Sequence, residues 1–141
     1  MFDYETLHAR ISIISENLKH LSKLSKLTYE DFLNDMKSQA AAMHWLQTGI
    51  EAMLDIGTHI LSRHRNGTPH TYAGIMKKLA EVGVISRENV DSYLKMARYR
   101  NRLVHVYHEV SGEELYKIIQ DRLSDFELYI KEITEYLEKQ K

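Results

Sequence analysis

The 141-residue chain contains no cysteine. Disulfides, thiol nucleophiles and thiolate metal sites are therefore excluded, and the absence fits a reducing compartment. One proline and six glycines leave little punctuation. No stretch approaches the roughly 18 uninterrupted apolar residues of a membrane span, and the opening Met1-Phe2-Asp3-Tyr4-Glu5 has neither a basic leader nor an apolar run. The chain is read as cytoplasmic, with no membrane partner. Nor does one sign of charge dominate, since 19 Lys and Arg face 20 Asp and Glu for a formal net charge of -1. A generally polyanion-coating surface is excluded, so contact with nucleic acid requires a local patch.

What the chain does have is apolar residues at helical spacing almost throughout. A first helix is expected over about residues 3 to 24, with Leu7, Ile11, Ile14, Leu18 and Leu21 on one face. Thr28 caps a second, with Glu30 and Asp31 in its first turn where the helix dipole favours anions. This second helix is expected to reach about residue 64 on a stripe of Met36, Ala40, Met43, Ile50, Leu54, Gly57 and Leu61. Leu46, Met53, Ile56 and Ile60 widen its buried face, which calls for more than one neighbour, a second copy of the chain included. Asn66-Gly67-Thr68-Pro69 ends it. A short helix follows at about residues 70 to 82, with Tyr72, Ile75, Met76 and Leu79 inward and a stop near Gly83. Ser86 starts the next, with Val90, Tyr93, Leu94 and Ala97 inward. The capping box Ser111-Gly112-Glu113-Glu114 opens a last helix on Leu115, Ile118, Ile119, Leu123, Phe126, Ile130, Ile133 and Leu137. The expectation is an all-α fold: an antiparallel bundle of four main helices and one short one, forming a single domain over residues 1–141.

Chemistry concentrates in Arg100-Asn101-Arg102-Leu103-Val104-His105-Val106-Tyr107, an R-x4-H-x-Y pattern near a predicted helix end. Guanidinium matches phosphate geometry bidentately, and imidazole titrates near neutral pH as an acid/base group for RNA cleavage must. With Arg98 and His108 this is the densest basic cluster, and Arg98, Arg102 and His108 are read as RNA-binding. On one regular helix, residues five apart point about 140° away from each other. Either the helix distorts or ends near Val104, or two chains share the site; together with the wide second helix this favours a homodimer. Asn101 and His105 share a face, so the amide could fix the imidazole tautomer. An extended exit would bring Tyr107 beside His105.

Blander readings exist for the same residues. Arginine and histidine at a helix end commonly serve only the dipole, and tyrosine is more often a packing residue than a functional hydroxyl. His59, His64 and His70 fit the end of the second helix in that way, and Arg63 and Arg65 fit an exposed charged helix end as well as an RNA surface. A metal-carboxylate bundle needs Glu-x-x-His on two helices, which the chain does not supply, so no metal is expected. No cofactor is expected either.

Set between a helix and a capped amphipathic helix, the motif resembles that of the HEPN superfamily, specifically its HepT-like toxins. The resemblance covers nearly the whole chain, including Gly67-Thr68-Pro69-His70-Thr71-Tyr72, Gly83-Val84-Ile85-Ser86 and Glu114-Leu115-Tyr116-Lys117-Ile118-Ile119. It implies a dimerising helical bundle, the toxin of a type VII toxin-antitoxin pair whose partner is an ATP-using, MntA-like nucleotidyltransferase. Carried over by position, Arg100, His105 and the adjacent Asn101 would support metal-independent RNA cleavage. Tyr107 resembles the tyrosine on which the partner places AMP to silence the toxin. In an alternative reading the chain is a non-catalytic HEPN subunit that binds nucleotide or partner.

Overall fold

The computed structural model describes residues 2–64 and 67–141. Asp3 opens α1 (Tyr4–Ser25), accepting the Thr6 N–H at 3.1 Å and the Thr6 hydroxyl at 2.7 Å. It thereby satisfies groups at the helix start that no helical carbonyl can reach. Leu7, Ile14 and Leu21 on its inner face are fully buried.

The expected long second helix is two helices. Thr28 does cap, its Oγ1 accepting the Asp31 N–H at 3.1 Å, but α2 (Tyr29–Leu33) is short. Asp35 then starts α3 (Met36–Leu61), accepting from the Lys37 N–H at 3.1 Å and the Ser38 hydroxyl at 2.7 Å. A short polar side chain that competes for backbone donors interrupts a helix this way, and Asn34-Asp35 was the overlooked signal. The break turns the predicted stripe outward at its start: Met36 is 82 % exposed, Ala40 is exposed and Met43 half-buried. Phe32, Ala42 and Ala52 are buried instead. Helix α3 also ends earlier than expected, the Ser62 N–H closing onto the Thr58 carbonyl at 3.0 Å. Of the proposed stop, Gly67 has the expected left-handed φ of 74°, while Asn66, like Arg65, lies outside the described residues.

Helix α1 runs antiparallel to α3. Arg10 meets Asp55 at 3.6 Å, Asn17 donates to Thr48 Oγ1 at 2.7 Å, and the His20 ring stacks on Trp45 at 4.5 Å. Helix α4 (Tyr72–Glu81) lies against α3 at Gly57, where an added Cβ would stand 2.9 Å from both Ile75 Cγ2 and Leu79 Cδ1. Gly83, φ 84°, turns the chain after α4, because only glycine takes that conformation without strain. A 3-10 turn at Arg87–Asn89 leads into α5 (Val90–His105).

The expected single last helix is also divided, into α6 (Gly112–Asp121) and α7 (Leu123–Gln140), with Arg122 at φ -118°, ψ 0° between them. No glycine or proline lies at the break, and nothing in the structure explains it. Tyr129 of α7 is fully buried and donates to the Met53 carbonyl at 2.8 Å. With α2 and α3 taken as one arm, and α6 and α7 as another, the result is the expected antiparallel four-helix bundle with α4 at its side. Among the described residues no helix is long and apolar enough to cross a membrane.

Candidate functional site

The site is built on α5, which is fixed at its start. The Glu132 carboxylate of α7 accepts the Ser86 N–H at 2.6 Å, the Asn89 amide at 3.1 Å and the Tyr93 hydroxyl. Burial and the neighbouring Glu132 charge raise Tyr93 above the usual phenol range, so it remains a donor. Leu94, Met96, Ala97 and Leu103 bury the inner face of α5.

One further turn along, Arg100 reaches across to α3. Its Nε and Nη2 both donate to Glu51 Oε2, at 3.0 and 2.7 Å, and its guanidinium lies 5.2 Å from the centre of the Tyr72 ring. Asn101 does not orient His105 as the spacing suggested; its Oδ1 accepts from Arg100 Nη1 at 3.2 Å. A guanidinium one residue away is within easier reach than a ring one turn on, and a cationic donor makes the stronger bond.

Arg102 points elsewhere. Both its terminal nitrogens engage the Glu114 carboxylate of α6, the second at 3.1 Å, and it lies 5.7 Å from the Tyr99 ring centre. That hydrogen bonding holds the guanidinium pKa above its ordinary range. Ser111 caps α6 by accepting the Glu114 N–H at 3.1 Å, so the predicted capping box is half-formed: the glutamate side chain turns to Arg102 rather than back to the Ser111 N–H. The buried Tyr99 hydroxyl has no partner among the described residues.

Helix α5 persists through His105, the Val106 N–H still bonding the Arg102 carbonyl at 2.9 Å. Arg100 and His105 therefore leave a regular helix about 140° apart. The helix is regular up to His105 and ends there, one residue past Val104. The exit is not extended. Val106 turns at φ -138°, ψ 42° into a 3-10 turn over Tyr107–Glu109, closed by the Glu109 N–H to the Val106 carbonyl at 2.8 Å. His105 is exposed, Tyr107 is 61 % exposed, and the Tyr107 ring stands edge-on to His108 at 6.0 Å. Arg98 is exposed on α5. Among the described residues no group of three His, Asp or Glu side chains is placed to hold a metal ion.

Sequence reasoning missed Glu51, Tyr72 and Glu114 as neighbours of the motif. Glu114 was visible as a capping residue, and Tyr72 as a core residue. Glu51 carried no signal, being one of many acidic residues on a long helix, 49 positions from Arg100.

Helix α5 of the antiparallel bundle thus ends on an arginine and a histidine, with an exposed tyrosine just beyond it. Over 96 % of its length the chain superimposes on the tri-AMPylated Shewanella oneidensis HEPN toxin solved in complex with its MNT antitoxin, with TM-score 0.84, 27 % identity and 99 % of that chain covered. Residues 14–133 match the model of the Ribonuclease HepT-like family, and the chain belongs to that family. It is 28 % identical to the tRNA nuclease HepT of Aphanizomenon flos-aquae over 131 residues, covering 93 % of this chain and 89 % of that one. With the mRNA nuclease HepT of Shewanella oneidensis it shares 30 % identity over 116 residues, covering 80 % and 87 % respectively.

Proposed function

We propose that this chain is the ribonuclease toxin of a type VII toxin-antitoxin pair, cutting tRNA or mRNA without a metal ion. The observation that carries the reading is the end of α5, where a pre-oriented Arg100 is followed five residues later by an exposed His105 with no competing partner among the described hydrogen bonds. His105 acts as base on the 2′-hydroxyl or as acid on the leaving 5′-oxygen, and Arg100 stabilises charge on the phosphorane. A 2′,3′-cyclic phosphate end is the natural product. Asn101, bonded to Arg100, belongs to the same catalytic group. Arg98 and His108 bind RNA directly, and Arg102 does so where RNA competes with Glu114.

Because Arg100 and His105 leave one helix on different sides, the pair that acts on a given phosphate comes from two chains. The toxin is thus a homodimer of single domains spanning residues 1–141, working in the cytoplasm where its RNA lies. The exposed face of α3, with Met36 and Ala40 turned outward, supports a second copy as its cover. Tyr107 is the residue an ATP-using, MntA-like nucleotidyltransferase modifies. At 61 % exposure it is accessible, and AMP units there place negative charge where RNA must bind. One observation favours a non-catalytic reading: Arg100 and Arg102 both face carboxylates, as they would in a chain that only binds its partner.

The test is cleavage of mixed tRNA and mRNA by the purified chain in excess EDTA, beside His105→Ala and Arg100→Ala. Loss in both variants with folding intact supports the nuclease. An inactive, unmodified wild type points to the non-catalytic subunit, and equal cleavage by all three points to a contaminant or another site.

A further inference from the structure

We infer that Glu51 is a positioning residue for this site: it aims the Arg100 guanidinium and, by the same charge, weakens RNA binding before reaction. The inference rests on the nuclease reading above. A guanidinium carries five N–H groups. Three are committed within the chain, those on Nε and Nη2 to Glu51 Oε2 at 3.0 and 2.7 Å, and one on Nη1 to Asn101 Oδ1 at 3.2 Å. Two remain, one on each terminal nitrogen, available to phosphate oxygens. With Tyr72 against the guanidinium at 5.2 Å and the side chain only 16 % exposed, the long arginine is ordered before RNA arrives. Such order contributes to the reaction step, since donors held in place need no reorganisation as charge develops on the phosphate.

The same carboxylate acts oppositely on binding. An incoming phosphate meets an arginine whose charge is already balanced at 2.7 Å and approaches the carboxylate that balances it. The two effects separate kinetically: orientation acts on kcat, repulsion on KM. A bridge that merely held α3 to α5 would alter stability and produce no such split.

The experiment measures kcat and KM on bulk tRNA in excess EDTA for wild type, Glu51→Gln and Glu51→Asp, with folding followed by circular dichroism. In parallel, fluorescence anisotropy measures binding of a labelled RNA oligonucleotide in a His105→Ala background with and without Glu51→Gln. The expected result for Glu51→Gln is a kcat lowered by about tenfold or more, a lower KM, and tighter RNA binding in the inactive background. Glu51→Asp keeps the charge but draws it back by one methylene, so kcat falls while KM stays near wild type; if the glutamine variant does not fold, this split carries the test. Unchanged kcat in a folded variant, or a KM that rises as kcat falls, overturns the inference. A wild-type chain that cuts nothing removes the nuclease reading itself, an outcome distinct from an active wild type whose variants match it.

Discussion

Removing Glu132 should leave one specific orphan, and a double-mutant cycle with Tyr93 isolates it. Tyr93 is fully buried and its hydroxyl donates to Glu132, which also takes the Ser86 N–H and the Asn89 amide. In Glu132→Ala the phenol is left buried without an acceptor, costing about 1–3 kcal/mol. Ser86 and Asn89 are half-exposed and can turn to water, adding roughly 0.5 kcal/mol each. The variant should therefore lose about 2–4 kcal/mol. Tyr93→Phe removes the donor together with its need, while Glu132 keeps two donors and water, so its cost is nearer 1 kcal/mol. The double variant has no orphan phenol and should cost about 2 kcal/mol, less than the sum of the singles by roughly 1–3 kcal/mol. Urea unfolding at one fixed protein concentration measures all four corners, with equal slopes required for the comparison. Additivity within about 0.5 kcal/mol would refute the reasoning, since it would mean that the phenol finds another acceptor when Glu132 is gone.

Other outcomes follow from the same geometry. Tyr107→Phe, at an exposed ring with no hydrogen bond among those described, should leave cleavage near wild type while abolishing silencing by an ATP-supplied nucleotidyltransferase; mass spectrometry of the chain should show the AMP adduct only with tyrosine present. Gly57→Ala places a Cβ 2.9 Å from two side-chain carbons, an overpacking cost of about 1–3 kcal/mol against a helix gain near 1 kcal/mol, so net destabilisation is expected and a raised thermal midpoint would contradict it. Asp3 and Asp35 are both held below their ordinary value of 3.8, chiefly by hydrogen bonds from the Thr6 and Ser38 hydroxyls to their charged forms. The folded state thus binds these protons less readily than the unfolded one. Their contribution is present above the unfolded value and is lost as pH falls through the lower folded one. Asp3→Asn with Asp35→Asn should accordingly flatten the decline of the urea midpoint between about pH 5 and pH 2, and an unaltered decline would assign it to other carboxylates.

Much of this fold could be read from local chemistry, and the exceptions share a cause. Thr28 and Ser111 were legible as caps because a hydroxyl before a helix start has one efficient use, and both accept the N–H three residues on. The Asn34-Asp35 interruption was missed because an apolar stripe across it looks continuous whether or not the backbone is. At Arg122 there was no signal to miss. In the site, the motif lay within eight consecutive residues, and its helix ends at His105, close to the end near Val104 that was one of the alternatives. Its environment was hidden, because Glu51 is selected by how α3 and α5 pack and not by any spacing along the chain. The half-used capping box shows the same limit: Glu114 has two good partners, and only three dimensions reveal that Arg102 takes it.

The clasp between Arg102 and Glu114 also bears on counterions. A free cation that replaces condensed ions on a single strand contributes a slope of about -0.7 per phosphate to the dependence of log affinity on log salt. An arginine already balanced by a carboxylate gives up a partner of its own when it meets RNA, so its share of that slope largely cancels. At Arg102, then, α5 presents a basic side chain that does not behave as a free cation. On the function proposed above, an RNA contact at Arg102 would add little to the salt dependence of binding, and the exposed Arg98 would carry the larger share.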